Sequence, residues 1–276
     1  MFAPFEYEFF IRGIVVSTLV GALCGLIGVY IVLRGMSYIG HGLSHAIFGG
    51  AVVSYIMSIN FLIGASIWGF LSAMLINLTS RRGKIGADAA IGIVTTSSFA
   101  LGVALISKFK TFTRSFDAAL FGNILGVTDV DVIAIVFVGI VSATAIFLGY
   151  KYLLFTTFDP EVAQYHGLPT GWIDTLFTLI LAAVIVVSLQ VLGVTMIAAA
   201  IVIPPVSARI LTNNFGTMMM LSVAIGGFCG LGGLYVSYYI DISSGPSVVL
   251  FSATLFFLTL GYSSFKELIR NLGVRN

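Results

Sequence analysis

The sequence predicts an all-α, polytopic integral membrane fold, and three observations carry the prediction. The chain is 59% hydrophobic and only 9% charged, where a soluble domain carries about a quarter charged residues. Apolar runs of near-spanning length follow one another from end to end, each broken by a little polar punctuation. Crossing the hydrocarbon takes roughly 20 residues, so 276 residues hold at most about a dozen spans. That leaves no sizeable extramembrane part, and the chain reads as a single transmembrane domain over residues 1–276. A soluble catalytic domain is excluded by shortage of residues, and nothing resembles a nucleotide-binding loop.

Nine runs are visible, at 12–33, 37–58, 61–79, 86–106, 131–154, 172–190, 193–211, 217–240 and 247–264. The division between the seventh and eighth is soft and some runs are short, so eight or nine transmembrane helices fit. The first run lacks a basic leader and a small-residue cleavage site, which reads as a retained span. Gly21, Gly25 and Gly28 fall near one face of it, and Gly226, Gly230 and Gly233 near one face of the eighth. Small residues at that spacing let helix backbones approach closely, within the chain or between copies. No internal duplication is visible, so the inverted-repeat pattern of secondary transporters has no support.

Orientation follows from the basic residues. With the Arg81, Arg82 and Lys84 turn placed in the cytoplasm, Arg34, Lys151, Arg209, Lys266, Arg270 and Arg275 also fall inside. Arg12, Lys108, Lys110 and Arg114 fall outside. Nine against four predicts an external N-terminus and an internal C-terminus, with the basic 108–114 stretch pulling the other way. Between the fifth and sixth runs lies Asp159-Pro160-Glu161-Val162-Ala163-Gln164-Tyr165-His166-Gly167. Asp159 suits an N-cap, Pro160 the first helical position and Glu161 the positive end of the dipole. Gly167 can close the helix left-handed and Pro169 forbids continuation. The segment therefore predicts a short, delimited helix on the cytoplasmic side, able to brace a span or dock in a partner's groove.

His41 and His45 are the residues with chemistry. Four apart on a helix, they place both imidazoles on one face, an arrangement that binds one borderline-soft divalent cation. An ionisable group inside a span is costly and by default functional. The structural alternative is a pair of histidines bonded to nearby carbonyls, helped by Ser37 and Ser44. Zinc proteases carry Glu directly after the first His; here Gly42 stands there, so the general base is missing. Cys24 and Cys229 sit in apolar Gly-rich runs and read as packing residues. Asp88, Asp117, Asp129, Asp131 and Asp241 fall at span ends, where solvated loop carboxylates are ordinary and outward-facing ones can guide cations.

Taken in order, several segments resemble the permease subunits of ATP-binding-cassette importers for manganese, zinc and iron. They include Val32-Leu33-Arg34-Gly35-Met36-Ser37, Leu43-Ser44-His45-Ala46, Ala90-Ile91-Gly92-Ile93 and Phe121-Gly122-Asn123-Ile124-Leu125-Gly126-Val127. The series continues through the Phe158–Pro169 segment, Val187–Gly193, Ile203-Pro204-Pro205 and Gly233–Tyr239 to Ser243-Ser244-Gly245-Pro246. The resemblance implies a permease without a catalytic site of its own. It implies a second permease chain, identical in the simplest case, and cytoplasmic ATPase subunits held through a coupling helix at Asp159–Gly167. An external metal-binding lipoprotein and a bacterial or archaeal plasma membrane are implied too; a nucleic acid partner is not. The cargo would be a divalent ion, manganese or zinc ahead of iron, with no permanently bound cofactor. One departure stands out: the family usually has Asp where His41 stands. Two imidazoles in place of a carboxylate and an imidazole shift ligand preference from manganese toward zinc.

Two other readings are weighed against this one. A secondary metal carrier would need intramembrane carboxylates to couple protons or sodium, and these are scarce. A permease for a larger metal chelate would need a wide, aromatic-lined pathway instead of a His pair. If a dimer axis lines the pathway, His41 and His45 of two chains would present four imidazoles, converging in only one state so that the ion can leave.

Overall fold

The structure, a computed structural model, describes residues 6–81, 86–109 and 120–273. The basic residues Arg82, Lys84, Lys110, Arg114 and Arg275 and the carboxylate Asp117 lie outside the described residues. Within them every element is helical. In chain order these are α1 (Glu8–Leu33), α2 (Ser37–Ile56), α3 (Phe61–Arg81), α4 (Ala87–Phe109) and a short 3-10 turn (Ile124–Gly126). Then follow α5 (Asp129–Leu148), α6 (Tyr150–Phe158), α7 (Pro160–Tyr165), α8 (Thr170–Leu192), α9 (Ile197–Leu211), α10 (Phe215–Ile240) and α11 (Ser244–Gly273).

Among the described residues, seven helices are long and apolar enough to cross a membrane: α1, α3, α4, α5, α8, α10 and α11. α2 has the length, at 20 residues, but its two histidines and its glycines dilute its apolarity. α9 is apolar but only 15 residues long. The chain is a multi-pass membrane protein, all-helical among the described residues. The predicted 131–154 run is interrupted: α5 ends at Gly149, whose N–H reaches Ala145 O, and α6 restarts from it. A glycine can interrupt a helix where an apolar count sees no break.

α1 and α8 form the interior, with Val16, Val20, Cys24, Ile27, Leu181, Ile185 and Leu189 excluded from the surface. α5 shows the opposite pattern, exposing Ile133, Phe137 and Ile140 in a stripe suited to lipid. α1 lies along α10, and the two glycine series mesh within the chain. Gly21 faces Gly226, Gly25 faces Ser222 O, and Gly230 faces Ser17 O. Ser17 donates to Gly230 O at 2.8 Å and Ser222 to Gly25 O at 2.6 Å, bonds that need this close approach. Pro205 inside α9 removes the N–H that would pair with Ile201 O. That carbonyl instead lies where a Cβ of Gly28 would be, so the proline and the glycine explain each other.

Candidate functional site

α2 presents the histidines on one face and is pinned by small residues on the others. Gly49 lies against Ser98 O of α4, Gly50 against the Trp68 side chain of α3, and Gly42 against Ile91 and Thr95. Trp68 Nε1 donates to Ser98 Oγ at 2.6 Å, and Ser98 Oγ donates to Ala46 O at 2.8 Å, tying three helices together at the residue after His45. The imidazoles of His41 and His45 are half-buried, with ring centres 4.5 Å apart and planes crossing at 70°. His45 meets the edge of Phe99 at 5.1 Å, and Tyr38 flanks His41 at 5.6 Å.

Ser44, fully buried, gives its hydroxyl to the backbone, shared between His41 O at 2.8 Å and Val194 O at 3.0 Å. It thereby clamps the histidine turn to the α8–α9 connection. That connection is non-helical, with Gly193 and Val194 buried, and the 120–123 segment meets it: Thr195 donates to Leu120 O from both its N–H and its Oγ1, the latter at 2.8 Å, and Asn123 N–H reaches Gln190 O at the end of α8. Irregular backbone inside a membrane fold persists only where protein or a hydrated path satisfies it. Changing Ser44 to Ala strips Val194 O of this side-chain donor. The expected cost is about 1–3 kcal/mol, read as a lowered thermal transition of the detergent-solubilised protein with unaltered helix content by circular dichroism.

Among the described residues no group of three His, Cys, Asp or Glu side chains is placed to hold a metal ion. Two of the described span-end carboxylates are occupied locally: Asp129 pairs with Arg12 at 2.8 Å, and Asp131 closes a capping box with Thr128. Asp241 takes the left-handed cap of α10 at φ 56°. Asp88 stands exposed in the first turn of α4.

The 159–167 segment forms α7. Asp159 accepts from Val162 N–H at 3.0 Å, Pro160 opens the helix, and Gly167 closes it at φ 78°. Ala163 is its buried seat; Glu161, Gln164, Tyr165 and His166 are exposed, and His166 lies 6.0 Å from Phe155. Beside α7 is a cluster whose pairing was not anticipated, around Arg34. Its Nη1 meets Asp174 Oδ1 at 2.7 Å, its Nε Thr157 Oγ1 and its Nη2 Thr156 Oγ1, both at 3.0 Å, and its head lies 4.8 Å over the Phe177 ring. The signal was present: Asp174 is a carboxylate inside the predicted 172–190 run, and such a group wants a named partner.

With the geometry established, comparison with known proteins decides the family. The profile of the ABC 3 transport family matches residues 6–263. The chain belongs to that family. The resemblance carried by its motifs is thereby borne out. Curated relatives include the manganese transport system membrane protein MntC of Halalkalibacterium halodurans, 37% identical over 94% of this chain and 88% of that protein. The manganese import system permease protein ScaB of Streptococcus gordonii is 36% identical over 92% and 91%. The chelated iron transport system membrane protein YfeC of Yersinia pestis is 33% identical over 92% and 86%. Among solved structures, PsaBC from Streptococcus pneumoniae in complex with Fab matches with a TM-score of 0.84 at 34% identity, over 94% of this chain and 95% of that one.

Proposed function

We infer that this ABC 3 family chain is the transmembrane permease subunit of an ATP-driven importer of divalent transition-metal ions, manganese or zinc. The observation that carries the reading is the adjoining His41 and His45 pair, edge to face on α2, of a scaffold whose relatives are named for manganese and iron transport. Two imidazoles are half of a tetrahedral set, so a second permease chain, identical in the simplest case, supplies the other half. The four rings converge in one state of the cycle and separate in another. α2 and α9 are taken as crossing elements beside the seven more apolar spans, giving the nine of the sequence reading, or eight if the short α9 stops within the bilayer.

The exposed face of α7, with Glu161, Gln164, Tyr165 and His166, is the surface offered to a cytoplasmic ATPase. ATP binding and hydrolysis belong to that partner. An external lipoprotein delivers the ion, and the setting is a bacterial or archaeal plasma membrane. The test is reconstitution of the permease with its ATPase and delivery protein in liposomes. ATP-dependent entry of labelled manganese or zinc is expected; entry driven equally well by a proton or sodium gradient without ATP overturns the reading in favour of a secondary carrier.

A further inference from the structure

We propose that Arg34 is the positioning residue that transmits movement of α7 to the histidine pair. This rests on the permease reading, and it adds the mechanical connection that the reading leaves open. Arg34 is the last cap of α1 and stands three residues before α2, so its backbone fixes where the His41 and His45 helix begins. Its side chain leaves that junction and fastens to two other elements. Thr156 and Thr157 belong to the last turn of α6, immediately before Asp159 caps α7, and Asp174 belongs to the first turns of α8, just after the segment that α7 closes. One guanidinium thus holds both flanks of α7 and the base of α2.

The bonding is of the kind that transmits force. The hydroxyls of Thr156 and Thr157 donate back to the carbonyls of Tyr152 and Leu153 in their own helix, which aims their lone pairs at the guanidinium. Three donors of one rigid planar fork are engaged, and the Phe177 ring covers its face. A lysine ammonium could not reproduce that fork. The Arg34 side chain is 9% exposed, against 43% for Asp174, so the pair is screened on one side only. A cavity of about 300 Å³, lined by Arg34, Met36, Ile39, Asn77, Asp174 and Pro160 among others, adjoins the clasp. It leaves room for α7 and the start of α2 to shift together without overlap. The same cavity is a poor cation site, because its carboxylate already faces a guanidinium.

The test compares Arg34→Gln and Thr157→Val with the unmodified permease, each assembled with its ATPase and delivery protein in liposomes, reading ATP hydrolysed and labelled metal imported in the same vesicles. The expected result for Arg34→Gln is continued hydrolysis with metal imported per ATP reduced about tenfold or more, the equivalent of one charge-assisted hydrogen bond. Thr157→Val keeps the ion pair and the side-chain volume, and is expected to lower the same ratio several-fold. If Arg34→Gln does not assemble, Thr157→Val decides. An unchanged ratio in the assembled variants, whether or not hydrolysis and import fall together, overturns the proposal and leaves the permease reading standing. No ATP-driven import by the unmodified assembly overturns both.

Discussion

Replacement of His41 and His45 by Ala together is expected to reduce metal import at least about a hundredfold while the permease still assembles with its ATPase. Outer partners of metal ligands alone are worth about 10–100-fold, and here both proposed donors of the chain are removed. The structure says why folding should survive. Both rings are half-buried, and the hydroxyl that stabilises their turn, that of Ser44, is bound to backbone oxygens and not to the imidazoles. What is lost structurally is the edge contact with Phe99 and the neighbouring Tyr38 ring, about 0.5–1.5 kcal/mol for a ring pair. The companion substitution His41→Asp creates a carboxylate and imidazole pair. It is expected to retain import and to move the preference from zinc toward manganese, since hard oxygen donors suit manganese. The measurement is uptake of each labelled ion by starved cells, with copurified ATPase as the assembly control. Full uptake by the double Ala variant would make the pair structural and send the search for the path to other helices.

Much of this was legible in the sequence, because lipid simplifies the code. A 20-residue apolar run has one stable backbone conformation in hydrocarbon, so most helices follow from composition alone. The short α7 was legible for a different reason: Asp159, Pro160, Gly167 and Pro169 each act on their own neighbours, and local chemistry needs no tertiary knowledge. The break at Gly149 was not legible, since a glycine within an apolar run looks the same whether the helix continues or stops. The His pair could be read from spacing, but its setting could not. Ser44 reaching Val194 and Arg34 reaching Asp174 join residues 150 and 140 positions apart, and only the fold brings such distant residues together. Arg34 shows the limit most clearly. As an isolated charge it voted on orientation; its role as the meeting point of α1, α6 and α8 required the partners to be seen.

The glycine series offers the sharpest test of the packing itself. Gly226→Val is expected to destabilise the fold by about 3 kcal/mol or more. A Cβ on Gly226 would come closer than 3.0 Å to the carbonyl oxygen of Gly21, and the reverse holds for a Cβ on Gly21. Both obstacles are helical backbone, which cannot rotate aside as a side chain would. α1 and α10 must therefore separate, at an overpacking cost of about 1–3 kcal/mol. Separation also stretches the Ser17 bond to Gly230 O and the Ser222 bond to Gly25 O, each worth about 0.5–1.5 kcal/mol. Lipid offers no hydrophobic gain to hold the helices together once contact is lost. Gly261→Val on α11 is the matched control, because nothing lies within 4 Å of its Cβ position and a valine there only meets lipid. Heating both variants in detergent and following the monodisperse fraction should show a clear loss for Gly226→Val and little change for Gly261→Val. Equal behaviour would mean that α1 and α10 tolerate separation and that their glycines serve flexibility instead of contact.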